Sequence, residues 1–141
     1  MKTTEEIAVQ VREALAEYGG EFRPCAFFDV RLDCIRVVVR DCSILETRIN
    51  EALTVLEDNY YQESGKRRYV GFTIKGAAYF CKHHGFDLSV PVNIGKLLDA
   101  ILTSFPSKMA ELAVDGIARP LAEEERIEKV DLSGALPQPA H

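Results

Sequence analysis

The residues best suited to chemistry lie in one short stretch near the middle of the chain. Three adjacent cations are flanked there by three tyrosines: Lys66, Arg67, Arg68, Tyr60, Tyr61 and Tyr69. Arginine and tyrosine are enriched at the hot spots of protein interfaces. The same residue types also contact phosphates and stack on nucleic-acid bases. The stretch therefore predicts a partner-binding patch, and the alternative is a solvated turn.

The uneven charge of the chain favours a role for this basic stretch. The 141 residues carry 17 basic and 22 acidic side chains, which gives a net charge of −5. Residues 61–100 reverse that balance, with 6 basic and 3 acidic side chains. A net negative charge argues against a generic nucleic-acid coat protein. A basic island in an acidic protein instead predicts contact with an acidic protein surface or another anionic partner.

The cysteines predict neither a disulfide framework nor a zinc site. No two of them form a C-x-x-C pair: Cys25, Cys34, Cys42 and Cys81. A zinc site built from local pairs needs two short ligand spacings, and Cys81 with His83 and His84 supplies one half-site at most. We therefore expect four reduced thiols, no bound metal and no cofactor.

Catalysis has less support in the sequence than binding does. Cys81 and His84 lie one helical turn apart, but Cys81 falls on an apolar helix face, where thiols are usually inert. Acidic residues at predicted strand ends are favoured there for local turn reasons: Asp29, Asp33, Asp41, Glu46 and Asp58. No nucleotide-binding or Ser-His-Asp motif is present. We assign no catalytic residue, and a small metal- or thiol-dependent enzyme stays an alternative.

Two amphipathic helices are predicted to frame the domain. Thr3 and Glu6 form a capping-box pattern at the start of a helix over residues 4–18. Asn93 is a favourable cap for a helix over residues 93–105, whose apolar residues recur at helical spacing. Shorter helices are predicted after Gly76, after Ser107 and over residues 121–130.

Strands are predicted between these helices, and one segment is ambiguous. Residues 34–40 are rich in β-branched side chains, and residues 69–75 alternate apolar and polar side chains. Between them, Ser43 with Glu46 is a second capping-box pattern, so residues 44–57 fit either a helix or a strand over residues 49–57. A polar connection containing Gly65 would join that strand to the next one as a hairpin with a basic tip.

The order of these segments resembles that of small bacterial β-meander domains of uncharacterised function. The runs that carry the resemblance are Leu-Asp-Cys-Ile-Arg-Val (32–37), Arg-Ile-Asn-Glu-Ala-Leu-Thr-Val (48–55) and Val-Gly-Phe-Thr-Ile-Lys-Gly (70–76). The resemblance spans residues 32–76. It implies a strand over residues 48–57 and a turn or short helical turn at Ser43–Thr47. It implies no catalytic residue, cofactor or ligand.

These observations predict a single α+β domain over residues 1–132, followed by a flexible tail over residues 133–141. A three- or four-stranded antiparallel meander is expected, packed on one face by helices 4–18 and 93–105. No apolar run approaches the ~20 residues that cross a bilayer, and the first residues lack the apolar core of a secretory signal. We therefore expect a cytoplasmic location and no membrane partner.

The predicted function is that of a bacterial accessory protein that acts by binding rather than by catalysis. Its partner would be another protein or a second copy of the chain. The main alternative is a nucleic-acid-associated regulator, in which Lys75 and Lys82 join the basic hairpin tip.

Overall fold

A computed structural model describes residues 3–17, 22–61 and 67–137. For residues 12–17 it describes the backbone only. The largest element is a five-stranded sheet in which all neighbouring strands are antiparallel. Its strands, in chain order, are β1 (Cys25–Asp29), β2 (Cys34–Val38), β3 (Ile44–Arg48), β4 (Leu53–Asp58) and β5 (Tyr69–Lys75). In space the order is β1-β2-β5-β4-β3, so β5 lies in the centre and β1 and β3 lie at the edges.

Five α-helices accompany this sheet in the described chain. They are α1 (Thr4–Glu17), α2 (Ala77–His83), α3 (Ile94–Ser104), α4 (Lys108–Ala113) and α5 (Arg119–Glu124). A π-helical turn over Val114–Ala118 joins α4 to α5. The two short strands β6 (Val92–Asn93) and β7 (Lys129–Val130) pair with each other. The architecture is therefore α+β, as the sequence predicts.

The central strand β5 explains how the sheet holds together. Phe72 and Ile74 are fully buried and point towards the helices, as do Ile35 and Val37 of β2. Gly71 is directly opposite Val38, and a Cβ atom there would collide with the backbone carbonyl of the neighbouring strand. Only glycine allows this close approach of two backbones.

The main core lies between the sheet and the apolar side of α3. Leu97, Leu98 and Ile101 are fully buried and pack with the sheet residues and with the end of α4. On the opposite sheet face, Val38, Leu56 and Val70 form a smaller buried cluster. At roughly 1.5–3 kcal/mol for each fully buried aliphatic side chain, the α3 stripe is a major source of stability.

The prediction of an antiparallel sheet is confirmed, but the predicted number and order of its strands are wrong. A meander would place β4 beside β2, whereas β5 lies between them. The sheet has five strands rather than three or four, because Phe27 and its neighbours form β1 and because β3 replaces the turn predicted at Ser43–Thr47. A continuous helix over residues 44–57 is excluded as well, since residues 49–52 form the β3–β4 turn. Asn50 stabilises that turn by accepting hydrogen bonds from the backbone N–H groups of Ala52 and Leu53, at 2.9 and 2.8 Å.

The predicted helix starts are confirmed at three positions. Thr3 and Glu6 cap each other reciprocally, with N–H to oxygen distances of 3.0 and 3.1 Å. The Asn93 side chain accepts a hydrogen bond from the Lys96 N–H at 2.9 Å, at the start of α3. Ser107 does the same for the Ala110 N–H at 3.0 Å, at the start of α4. Local capping residues therefore mark helix starts well, because the contacts are made within three residues.

Two helix expectations need correction. The predicted packing of helix 4–18 on the sheet is not found for the described side chains, since Ile7, Val9 and Val11 of α1 are each about half exposed. Of the helix predicted over residues 121–130, only the part within α5 is helical, and β7 ends the segment.

The last described residues make contacts with the body of the domain. Residues Ser133–Ala135, in the segment predicted as a flexible tail, form a 3-10 turn. Ala135 and Leu136 pack against the main core. Residues 138–141 lie outside the described part of the chain.

Candidate functional site

The basic tip predicted from the sequence lies where β4 passes into β5. Lys66 falls in residues 62–66, outside the described part of the chain. Beyond the end of the β4–β5 ladder, the Asp58 N–H donates to the Arg68 carbonyl at 2.8 Å. Tyr60 is 78% exposed, and its N–H donates to the Asp58 carboxylate at 3.0 Å.

The two described arginines of the tip point to different sides of the sheet. The Arg68 guanidinium lies 3.9 Å from the centroid of the Tyr61 ring, a cation–π distance. Arg67 instead pairs with Glu57 at 3.8 Å, and that glutamate is only 8% exposed. Because alternate strand residues face opposite sides, Arg67 shares its side with Tyr69, which packs on the main core. The predicted patch is therefore divided in two.

Arg67 and Tyr69 lie at a groove between the sheet and α4. Its volume is about 170 Å³. A cavity of roughly 150 Å³ accepts a benzene ring, so the groove has room for one large apolar side chain. Six apolar residues line it together with Thr47, Arg67 and Tyr69: Ile49, Val55, Met109, Leu112, Ala113 and Ile117. This surface is called the α4 groove below.

The short helix α4 positions the outer wall of the groove. Its small residues Ala110 and Ala113 are buried, which lets the helix backbone approach the core. Met109 and Leu112 are left 58% and 61% exposed. Large apolar side chains exposed next to an apolar groove are typical of an interaction surface. The arginine at the groove is held by Glu57 and keeps further N–H donors for a partner.

Sequence reasoning missed Met109 and Leu112 as site residues. The pattern after Ser107 predicts only that they belong to a short helix. A signal was present, because four of the six residues of α4 are apolar: Met109, Ala110, Leu112 and Ala113. So broad an apolar surface exceeds what one buried stripe of a surface helix requires.

A second, larger cavity of about 520 Å³ lies between the start of α3 and α5. Its most prominent side chain is Arg119, which pairs with Asp99 at 2.5 Å and with Asp115 at 3.4 Å. Arg126 also lines this cavity, but so do Glu123 and Glu128. The charges of this cavity are therefore balanced within the chain, which leaves a weaker basis for binding than the apolar α4 groove.

The cysteines do not form a reactive centre among the described residues. All four are free thiols. Burial, and secondarily the charge of Asp33, raises the pKa of the Cys81 thiol to about 11. Burial also raises the pKa of Cys34 and of Cys42. Such thiols are neutral near pH 7, and only the thiolate is a good nucleophile.

The histidine beside Cys81 has other partners. His84 lies within hydrogen-bond distance of the Ser104 hydroxyl, at 3.0 Å from Nε2 to Oγ, and its ring lies 4.2 Å from that of Phe80. No group of three or more metal-ligating side chains occurs among the side chains that the structure describes, at residues 3–11, 22–61 and 67–137. Cys81, His83 and His84 thus form no such ligand group in the described chain.

Two of the acidic residues at strand ends, Asp29 and Asp33, have structural partners. Asp29 accepts hydrogen bonds from the N–H groups of Arg31 and Leu32 in the β1–β2 turn, at 3.0 and 3.2 Å. Asp33 accepts the Ala78 N–H at 2.7 Å, at the first turn of α2. The Asp29 contacts match the local turn role that aspartate has at such positions, whereas Asp33 caps a helix 45 residues further along the chain.

Comparison of the chain with protein-family models, curated proteins and solved structures finds no match. Within the described residues, no helix has the length and apolar character that a membrane span requires.

Proposed function

We propose that this protein is a binding module whose α4 groove holds an apolar side chain of a partner protein. The observation that carries the proposal is the exposure of Met109 and Leu112 beside a groove already lined by apolar side chains. Filling the groove would remove these two side chains from water, at roughly 25 cal/mol for each Å² of apolar surface.

The chemistry of the groove also favours an acidic residue next to the apolar one in the partner. Arg67 lines the groove, and its side chain is 67% exposed. Guanidinium groups bind carboxylates through paired hydrogen bonds, which ammonium groups cannot match. Since Glu57 occupies one side of this guanidinium at 3.8 Å, the remaining donors are open to the partner's carboxylate.

Nucleic-acid binding stays the second candidate, with less support from the contacts of the tip. The two described tip arginines point to different sides of the sheet, Arg67 beside Glu57 and Arg68 over the Tyr61 ring, so they do not form one phosphate-binding surface. An apolar groove also contributes nothing to phosphate contact, which dominates nucleic-acid affinity. A cytoplasmic location belongs to the proposal, because free thiols persist in reducing compartments.

The test is a selection of random displayed peptides on the purified full chain. We expect the enriched peptides to share an aromatic or large aliphatic residue next to Asp or Glu. Leu112→Asp should weaken their binding at least about tenfold, because it places a charge in the apolar wall. Leu32→Asp is the matched control, since Leu32 is 73% exposed in the β1–β2 turn, and it should bind like the parent.

Two outcomes would count against the proposal. If Leu112→Asp and the parent bound the peptides equally well, the groove would not be part of the interaction. Binding of single-stranded oligonucleotides that falls steeply with salt, and that is lost in Arg68→Ala while Leu112→Asp retains it, would favour the nucleic-acid candidate.

A further inference from the structure

The edge strand β3 offers a second interaction surface, on the backbone rather than in a groove. β3 pairs with β4 on one side, and no other described strand pairs with its outer edge. Residues 45–48 are all exposed. The opposite edge differs, because β7 lies next to β1. An unprotected edge strand presents unpaired N–H and C=O groups to any second strand.

The pairing with β4 determines which backbone groups are turned outwards. Ile49 N–H donates to the Leu53 carbonyl at 2.9 Å, and Asn59 N–H donates to the Ser43 carbonyl at 2.9 Å. In an antiparallel ladder these bonds recur at every second residue. Residues 43, 45, 47 and 49 therefore bond to β4, and the backbone groups of Ile44, Glu46 and Arg48 face away from the sheet.

The side chains of this edge are complementary to themselves. In an antiparallel pair of two β3 strands centred on Thr47, Glu46 of each copy stands opposite Arg48 of the other. Opposite charges in directly facing positions stabilise a strand pair. On the other face the same register places Leu45 opposite Ile49 and Thr47 opposite Thr47. It also makes Glu46 and Arg48 a hydrogen-bonded pair, as their outward backbone groups require.

The charged side chains are available for these contacts. Glu46 accepts a hydrogen bond from Arg36 of its own chain at 3.2 Å, and its side chain stays 52% exposed. Arg48 is exposed, and its Nε donates only to the Asn50 carbonyl among the contacts observed, at 3.2 Å. Leu45 is half exposed on the sheet face that α4 borders. A second strand would cover this residue.

We propose that β3 pairs with β3 of a second copy of the chain, in the antiparallel register centred on Thr47. The two sheets then form one continuous sheet across a two-fold axis, and the contact is the same on both copies. The proposal does not depend on the peptide-binding role of the α4 groove.

The register is tested by cysteine cross-linking of the full chain. Facing residues of a non-hydrogen-bonded pair have Cα atoms about 4.5 Å apart, within the range of a disulfide. Thr47→Cys should therefore form an intermolecular disulfide on mild oxidation. Leu45→Cys, on the same strand and face, should not, because two copies of residue 45 would lie about 13 Å apart. The parent chain controls for disulfides through the exposed Cys25.

The charge pairing is tested by sedimentation of single and double variants. Glu46→Arg or Arg48→Glu alone turns two attractive pairs into repulsive ones, and should weaken self-association by about tenfold. The double variant restores opposite charges and should recover dimer formation. Arg36→Gln removes only the contact within one chain, and should leave the dimer intact.

The following results would contradict the β3 pairing. A monomeric parent chain at every soluble concentration would overturn the proposal. A dimer in which Thr47→Cys fails to cross-link, or in which the double variant does not recover, would also overturn it. If the chain is monomeric and still binds the selected peptide, the β3 proposal fails and the α4-groove proposal stands. The two proposals can therefore fail separately.

Discussion

Helices α3 and α4 follow one another along the chain, and each begins at a side-chain cap. The large apolar residues of α3 point into the core, where Leu97, Leu98 and Ile101 are fully buried. In α4 the buried positions are alanines, and the large residues Met109 and Leu112 are exposed. The same helical periodicity therefore buries large apolar side chains in α3 and leaves them exposed in α4. The two helices differ in the size of the residues at their inward-facing positions.

The largest expected effect tests the buried side of this comparison. Leu98→Ala should lower the free energy of unfolding by about 2–5 kcal/mol, since it removes buried methyl groups and leaves a cavity. Urea unfolding followed by circular dichroism measures this change. A loss below about 1 kcal/mol would mean that α3 is not packed as described.

The pH dependence of stability gives a second test of the same core, to which Cys81 also belongs. The pKa of this thiol rises from 9.0 to about 11 on folding, so the folded state keeps a proton that the unfolded state has lost. Stability from this group is complete below pH 9 and is lost as the pH rises to 11. In Cys81→Ala, the fall in unfolding free energy between pH 9 and 11 should be shallower than in the parent. Equal slopes would contradict the burial of this thiol.

The two caps allow a matched comparison of the helix starts. Asn93→Ala and Ser107→Ala should each lower the free energy of unfolding by about 1 kcal/mol, because each leaves a backbone N–H without its acceptor. Only Ser107→Ala should also weaken binding of the selected peptide, since α4 carries Met109 and Leu112. If both variants bound the peptide equally well, α4 would not be part of the binding surface.

The smallest effect on stability is expected on the exposed side. Leu112→Ala should change the free energy of unfolding by no more than about 0.5 kcal/mol, as exposed substitutions usually do. Peptide binding should nevertheless weaken, since the wall of the groove loses apolar area. A large loss of stability would instead indicate that Leu112 belongs to the core.

The sequence predicts the features of this fold that depend on near neighbours. Caps at Thr3, Asn93 and Ser107, the buried stripe of α3 and the alternation of β5 all follow from contacts or patterns within a few residues. The strand β3 was missed because Ser43 and Glu46 mimic a capping box. The position of β5 between β2 and β4 was missed because strand order depends on contacts distant in the sequence.

The candidate site was predicted only in part for the same reason. Arg67 and Tyr69 are signalled by residue type, and both line the α4 groove. The other wall comes from Met109 and Leu112, some 40 residues further along the chain, and only folding brings them to β5. Whether an apolar residue is exposed depends on its neighbours in space. A local sequence pattern does not contain that information.

The central claim, that the α4 groove binds the partner, is tested most directly at Met109. The chain has two methionines, Met1 and Met109, so ¹³C-methyl-methionine labelling gives one signal at the groove and one reference signal far away in sequence. Titration with the selected peptide should shift the Met109 methyl resonance in a saturable way and leave that of Met1 unchanged. A peptide that binds the chain without moving the Met109 resonance would contradict the claim.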